Sequence, residues 1–261
     1  FLNFFLNNIL IIRLKSTKLK TLEYNYDFFN ISFENFEELK NTFFSKKYFN
    51  RKFYDEKNSI YHTFEWMNVA KKMGGAKIIS LAKQHVFNWS KKKYSTSSFV
   101  WNSQFVAKRI LNLIYHYDFY AISASENEKR IIKYIILKHY FVLKLQIRLL
   151  RNINEQPLEI TKALFLFQLI NKLNTKKILD QISIQLHTHL NNDGMHKSIN
   201  PCTHAEYINE LYEIKNMCLY FGLTVPKEIE FQLINMSSVL KNLFHKDNTI
   251  ALFNGSNNAN L

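Results

Sequence analysis

Apolar side chains recur at intervals of three and four residues over most of the chain from about residue 60 onward, which is the spacing of an amphipathic helix. This pattern predicts consecutive helices over residues 64–73, 76–92, 102–122, 125–151, 157–173, 175–190, 201–221 and 226–245. The connections between them are short, so successive helices are expected to form antiparallel hairpins. No motif repeats at a fixed period, which argues against a TPR-type or HEAT-type solenoid. An (α/α) toroid fits the pattern, but periodicity alone does not separate it from other helical bundles.

Residues that start or stop helices stand at several of these boundaries. Gly74-Gly75 is a helix stop, and Ser125-Glu-Asn-Glu128 has the form of a capping box, in which the serine hydroxyl and the glutamate carboxylate satisfy each other's backbone N–H groups. Pro157, Pro201 and Pro226 are each expected in the first turn of a helix. With five glycines and three prolines, the chain has too few turn residues for a sandwich or barrel of strands.

The first 55 residues carry a different pattern from the helical region. They are rich in Phe and Tyr with Asn and Asp between them, and they predict an irregular aromatic arm with at most one short helix over residues 34–44. Residues 1–12 are apolar but are interrupted by three asparagines and followed, not preceded, by positive charge. This segment fits neither a secretory signal nor a membrane-spanning helix, which needs about 20 apolar residues.

The last 16 residues also depart from the helical pattern. After a helical domain over residues 56–245, residues 246–261 read as a turn, an extended stretch over residues 249–253, and an Asn254-Gly255 turn. We therefore expect this segment to be a linker or the first strand of a β-sandwich domain that lies beyond the sequence.

The net charge of +14 favours a polyanionic partner: nucleic acid, anionic lipid or an acidic polysaccharide. The charge is spread along the chain without a basic tail, which argues against nucleic acid. A surface merely solvated by lysine remains the alternative. Cys202 and Cys218 form no CxxC pair, so neither a zinc site nor a disulfide framework is expected. Since the sequence contains no GxGxxG, P-loop, HExxH or GxSxG motif, no cofactor and no metal are predicted.

Three groups of residues, taken in order and spacing, resemble the helical domain of heparinase II/III-like proteins. They are Tyr61-His-Thr-Phe-Glu-Trp66 with Met73-Gly-Gly75; Trp101 with Arg109-Ile-Leu-Asn-Leu113; and Asp193-Gly-Met-His196 with Asn200-Pro201, Glu210-Leu211, Leu223-Thr-Val-Pro226 and Leu252-Phe-Asn-Gly-Ser256. The resemblance covers roughly residues 55–258. It implies an all-α fold, an incomplete (α/α) toroid of antiparallel hairpins followed by the start of a β domain, and it favours the cell envelope or periplasm.

The same resemblance implies a polysaccharide lyase with its active cleft in the helical domain. Such an enzyme removes the C5 proton of a uronate by a base, protonates the departing O4 oxygen by an acid, and stabilises the carboxylate so that the intermediate is tolerated. The base and acid are typically Tyr and His. The substrate would be a uronate-containing acidic polysaccharide such as a glycosaminoglycan.

Two positions depart from the family's pattern. An Asn-His pair is common in the loop before the helix that contains Lys162-Ala-Leu164, but here the loop reads Asn152-Ile-Asn-Glu-Gln156. A Tyr-His pair is common after the Asp-Gly-x-His loop, where this chain has Thr203-His204, with Tyr207 one turn further on. The alternative hypothesis is therefore a catalytically silent relative that binds an envelope glycan or a partner protein. A hydrolase would need two carboxylates, of which Asp193 supplies one.

The candidate site residues divide into two groups. The catalytic candidates are His196, His204 and Tyr207. The candidates for substrate binding are Trp101, Asn102, Arg109, Asp193 and Asn200.

Each candidate also has a structural interpretation. His196 could bond locally to Asp193, and Asp193 could close an Asx turn before Gly194. Arg109 could fix helix packing, and Trp101 could be a core anchor. His187 and His189, two residues apart on a helix, point to different faces and predict no metal site.

Overall fold

The computed structural model describes residues 59–95, 98–149, 153–247 and 249–256, and these residues are mostly helical. No strand occurs among them, and two isolated antiparallel bridges join Leu190 to His196 and Phe244 to Ile250. The ten α-helices are α1 Ser59–Thr63, α2 Trp66–Met73, α3 Ala76–Lys91, α4 Ser103–Tyr115, α5 Tyr117–Tyr120, α6 Glu126–Leu149, α7 Leu158–Ile170, α8 Lys176–His189, α9 Pro201–Tyr220 and α10 Lys227–Asn242. Short 3-10 helices occupy Phe99–Trp101 and Ile153–Glu155. The predicted all-α class is confirmed for this part of the chain.

The chain divides into two compact units at residues 150 and 151. The first contains α1 to α6 and the second contains α7 to α10. In the first unit, α4 packs against α1 and α6, and its buried face carries Val106, Ile110, Leu113 and Ile114. The spacing of these four residues is the one that predicted the helix.

The second unit is built around α7. Nearly every residue of α7 is buried, because α8 and α9 both pack against it, and α10 in turn packs against α8 and α9. A helix that is apolar on all sides is stable only at the centre of such an arrangement. Lys162 is the exception on this helix, since it is buried and charged.

The predicted helix ends are largely correct. The Ser125 N–H donates to the Glu128 carboxylate at 2.7 Å and the Glu128 N–H donates to the Ser125 hydroxyl at 3.3 Å, which confirms the capping box. Pro201 is the first residue of α9, as predicted, but Pro157 and Pro226 lie one residue before their helices with extended ψ angles. The helix predicted over 102–122 is interrupted at His116, which separates α4 from α5.

The segment that follows α10 contains the predicted Asn254-Gly255 turn, with φ angles of 49° and 82°. It forms the single Phe244–Ile250 bridge and no strand in the residues that the structure describes. The predicted arm over residues 1–55, with its short helix over 34–44, lies outside the described residues. The predicted domain boundaries stay predictions.

Gly194 gives a direct test of the packing in the second unit. Its φ is +87°, and a Cβ there would lie 3.0 Å from the Asn235 Cβ and 3.2 Å from the Asn235 carbonyl carbon. We expect Gly194→Ala to lower the free energy of unfolding by about 2–4 kcal/mol, since it combines an unfavourable φ with overpacking. Gly222→Ala is the matched control, because Gly222 has a φ of +68° and open space around it. If urea denaturation shows that both variants lose the same free energy of unfolding, the close packing of Gly194 is contradicted.

Candidate functional site

Three aromatic side chains of the second unit, His189, His196 and Tyr207, form a cluster that we call the His–Tyr cluster. The ring centroids are 5.2 Å apart for His196 and Tyr207, 5.5 Å for His189 and Tyr207, and 6.1 Å for the two histidines. Tyr207 is 6% exposed, whereas His196 is half-buried. The cluster therefore has a buried phenol beside an imidazole that reaches the surface.

The connection between α8 and α9 explains why these residues meet. His189 is the last residue of α8, and the chain turns back at once through the Leu190–His196 bridge. The Lys197 N–H donates to the His189 carbonyl at 2.8 Å, and the Asn191 N–H donates to the Met195 carbonyl at 2.8 Å. This tight return places the two histidines side by side against α9.

The ring of His189 is within hydrogen-bond distance of Tyr207. The Tyr207 hydroxyl lies 3.0 Å from His189 Nδ1. A hydrogen bond with the Asn154 backbone favours the charged form of His189 and partly offsets the effect of burial on its pKa. In the tautomer in which His189 Nδ1 carries no proton, the Tyr207 hydroxyl donates to it.

His196 is held through its Nδ1 by Ser198. The Ser198 hydroxyl lies 2.8 Å from His196 Nδ1, and the Ser198 N–H lies 3.1 Å from the same atom. The Ser198 N–H, whose direction the backbone fixes, donates to Nδ1, so Nδ1 accepts and Nε2 carries the proton of the neutral ring. His196 bonds to Ser198 and not to Asp193, contrary to the local alternative considered from the sequence.

His204 is fully buried and uses both ring nitrogens inside the protein. Its Nδ1 accepts from the His196 backbone N–H at 3.2 Å, and its Nε2 lies 2.9 Å from the Met236 carbonyl, to which it donates. This placement leaves no ring nitrogen for a substrate. His204 thus anchors the His196 loop on α10, and its predicted part in catalysis is not supported by its position.

The His–Tyr cluster carries no net charge near neutral pH. Burial, assisted by His189 and His204, lowers the pKa of His196 to about 4, and burial also lowers the pKa of His189. Burial, with Glu210 adding to it, raises the pKa of Tyr207 far above its ordinary value. The phenol therefore remains a proton donor and both histidines remain neutral.

A buried ionic group lies on the same helix face as Tyr207. Lys162 Nζ of α7 is 2.7 Å from a Glu210 carboxylate oxygen and 2.6 Å from one of Glu213, residues three and six positions after Tyr207. Burial opposes the charge of Lys162, but Glu210 and Glu213 outweigh it and raise the pKa of Lys162. This group ties α9 to α7 within two turns of Tyr207.

The other predicted residues of the second unit have local structural bonds. The Asp193 carboxylate accepts from the Met195 N–H at 2.9 Å, which is the Asx turn considered from the sequence. Asn200 caps α9 by accepting from the Thr203 N–H at 3.0 Å. Both residues shape the loop that carries His196.

Trp101, Asn102 and Arg109 belong to the first unit. Asn102 is exposed and caps α4 by accepting from the Gln104 N–H at 2.9 Å. Trp101 is half-buried and stacks on His139 with centroids 5.6 Å apart. The structure thus brings His196, His204, Tyr207, Asp193 and Asn200 together in one unit and places these three residues in the other.

Arg109 is fully buried, and both its terminal nitrogens donate to backbone carbonyls. Nη1 bonds to His62 at 2.9 Å and Nη2 to Val100 at 2.7 Å, while the guanidinium lies over Trp89 at 4.6 Å and Trp101 at 5.3 Å. Burial lowers the pKa of Arg109 to about 9, so it stays charged at neutral pH. This placement supports the packing alternative and not direct binding of a substrate carboxylate.

His189 is the functional candidate that sequence reasoning missed. The sequence pattern argued against a metal site at His187 and His189, because residues two apart on a helix face different ways. The structure agrees that they diverge: His187 is exposed, with Nε2 3.8 Å from a Glu228 oxygen, and His189 turns towards Tyr207. The available signal was the position of His189 at the helix end, immediately before the Asn191-Asn192-Asp193-Gly194 turn.

In the described ranges, no group of three or more His, Cys, Asp and Glu side chains is arranged to hold a metal ion. Within the same ranges, every helix is either too short or too polar to span a bilayer.

The fold has clear counterparts among solved structures, although no family model and no curated protein sequence matches the chain. A mutant of the heparan sulfate lyase HepC from Pedobacter heparinus superposes with a TM-score of 0.57 at 13% sequence identity. The structure of HepC that is not described as a mutant gives a TM-score of 0.56 at 12% identity. A protein described as a heparinase III gives 0.57 at 15% identity. Each comparison covers 94% of this chain and 45% of the other.

These similarities show the fold and not the activity, since the identities are far below those that carry function. The chain spans less than half the length of the proteins that it matches. The predicted class, an all-α toroid fragment, is confirmed. The chain has the heparinase-like helical fold.

Proposed function

We propose that this protein is a polysaccharide lyase-like protein that acts on a uronate-containing acidic polysaccharide at the His–Tyr cluster. The observation that carries the proposal is the meeting of a buried tyrosine, its histidine acceptor and a surface-reaching histidine at one loop of a heparinase-like fold. Tyr and His are the residue types that supply the acid and the base in β-elimination. The names of the structural neighbours, heparan sulfate lyase and heparinase III, agree with a substrate of this class.

The protonation states support the following roles. His196 acts as the base in its other tautomer: the ring proton moves to Nδ1, the bond accepted from the Ser198 N–H is lost, and the Nε2 lone pair accepts the C5 proton of the uronate. The electron pair of the C5–H bond forms the C4=C5 double bond, and the C4–O4 bond breaks. Tyr207, which keeps its proton at ordinary pH values, turns its hydroxyl from His189 Nδ1 to O4 and gives that proton to the departing oxygen. The imidazolium of His196 then releases one proton to water and the Tyr207 phenolate takes one from water, which returns the cluster to its starting state.

The charge of the whole chain supports an anionic substrate. Lys and Arg number 35 against 21 Asp and Glu, and Lys197 follows His196 directly on the exposed loop. A positive surface raises the local concentration of a polyanion and speeds its association. This effect weakens as salt is added.

A second candidate, a non-catalytic glycan-binding protein, is favoured by one specific observation. The pKa of His196 is lowered to about 4, which makes its neutral imidazole a weak base for a carbon acid. A neutral set of donors and acceptors is well suited to bind sugar hydroxyls. The vacant family positions at Asn152–Gln156 and Thr203 point the same way.

The test incubates the full chain with a panel of uronate polymers, including heparan sulfate, chondroitin sulfate, hyaluronan and alginate. Ultraviolet absorbance of the 4,5-unsaturated product would establish the lyase. Saturable binding to a polymer with no absorbance change would establish the binder. Both proposals are overturned if no absorbance appears and if the protein binds these polymers no better than duplex DNA at matched charge and salt.

A further inference from the structure

The loop that carries His196 is held from outside by the segment after α10. Asn200 Nδ2 donates to the Asn254 carbonyl at 2.9 Å, and Asn254 Nδ2 donates to the Ile199 carbonyl at 2.9 Å. Each asparagine amide therefore bonds to the backbone of the other segment. We call this reciprocal pair the asparagine clasp.

The clasp joins residues 54 and 55 positions apart, and among the described residues no other hydrogen bond links these two segments. The clasp uses Asn200 Nδ2, because Asn200 Oδ1 already caps α9 by accepting from the Thr203 N–H. One side chain thus starts α9 and fastens the loop before it. Tyr207 lies on the same helix, two turns further on.

The loop needs such a fastening because its backbone is strained. Ile199 has a φ of +50°, a region that is unfavourable for any L-residue and most of all for a β-branched one. It is 48% exposed, so core packing does not hold it there. Strained residues persist only where surrounding bonds fix them. Here the Ile199 N–H donates to the His196 carbonyl at 2.8 Å and the Ile199 carbonyl accepts from Asn254.

The turn that presents Asn254 is made of the two residue types that best tolerate positive φ. Asn254 has a φ of 49° and Gly255 a φ of 82°. A Cβ at Gly255 would lie 3.8 Å from Asn200 Nδ2, so the turn sits directly on the clasp. The residues of the Leu252–Ser256 motif have no part in the proposed acid and base chemistry. This geometry gives them a structural role, because they form the turn that presents Asn254.

We propose that Asn200 and Asn254 are positioning residues of the candidate site, because their clasp holds the Ile199 peptide that fixes the His196 backbone beside Tyr207. The proposal rests on the proposed function insofar as it predicts an effect on turnover or glycan affinity. The effect of the clasp on the loop can be tested without measuring turnover or glycan affinity.

The decisive variants remove one clasp bond each and keep the backbone. Asn254→Gly preserves the positive φ and deletes the amide. Asn200→Ser preserves a capping oxygen for α9 and deletes the donor to Asn254. Asn171→Ala is the control, since Asn171 makes an amide-to-carbonyl bond of 2.8 Å to Phe167 at the end of α7, outside the loop.

We expect both clasp variants to accelerate hydrogen exchange of the Ile199 amide about tenfold or more and to shift the NMR resonances of the His196 ring. The control should change neither, while lowering Tm by a similar amount. In an active lyase, kcat should fall about tenfold to a hundredfold, with a smaller change in KM, because a displaced catalytic group loses orientation. In a binder, glycan affinity should fall instead.

The outcomes separate the two proposals. Unchanged exchange at Ile199 and unchanged His196 resonances in both variants would overturn the clasp, whatever the activity. A loosened loop in a protein that neither cleaves nor binds any glycan would leave the clasp standing and remove the proposed function. A loosened loop with fully retained activity or affinity would overturn the positioning role.

Discussion

Lys162→Met is expected to lower the free energy of unfolding by about 3–5 kcal/mol, because removal of one partner of a buried ionic group leaves the others uncompensated. Glu210 and Glu213 both face Lys162 Nζ at less than 3 Å, so the variant leaves two carboxylates close together against an apolar helix. Urea denaturation at pH 7 measures this loss.

The control for this prediction removes the whole ionic group. A triple variant with Lys162→Met, Glu210→Gln and Glu213→Gln has no uncompensated charge and should recover most of the stability. Lys176→Met, at the exposed start of α8, should change the stability by less than about 0.5 kcal/mol. A loss at Lys162 no larger than that at Lys176 would show that the buried ionic group does not form.

Tyr207→Phe is expected to reduce lyase turnover by about a hundredfold to ten-thousandfold, the contribution of a positioned proton donor. The phenyl ring keeps the packing, and the loss of the bond to His189 should lower the stability by only about 1 kcal/mol. The rate of unsaturated product formation and the Tm of the same sample give the two readouts. If the protein only binds glycan, the same change should weaken affinity by no more than about tenfold.

Tyr212→Phe is the matched control on the same helix. Tyr212 is exposed on α9, so the loss of its hydroxyl should leave turnover, affinity and stability unchanged. Tyr207→Phe with more than half of the wild-type turnover would remove Tyr207 from the mechanism and leave the binding interpretation.

Much of the fold was predictable because its rules are local. The spacing of Val106, Ile110 and Leu113 fixes the buried face of α4, and the Ser125–Glu128 capping box acts within four residues. The interruption at His116 was not predictable in this way, since the apolar spacing continues through Tyr117 and Tyr120 into α5. There the packing of α5 against α3 outweighs the helical pattern.

The candidate site was only partly predictable because its contacts are distant in sequence. Tyr207 and His196 could be proposed from the motifs that surround them. His189 could not, since its orientation depends on the return of the chain after Leu190 and on Asn154. Lys162 and Glu210 are 48 positions apart, and neither pattern nor composition indicated that they form a pair. The burial of Arg109 also follows only from three-dimensional packing.

The central claim, that the His–Tyr cluster is the glycan site, is tested most directly by NMR of the protein with 15N-labelled histidine during titration with a uronate oligosaccharide. The Tyr207→Phe variant slows turnover during the titration, and the wild-type protein is titrated in parallel. We predict saturable shifts of the His189 and His196 ring resonances and none for the buried His85, His116 and His139. Saturable binding that leaves His189 and His196 unshifted would contradict the account.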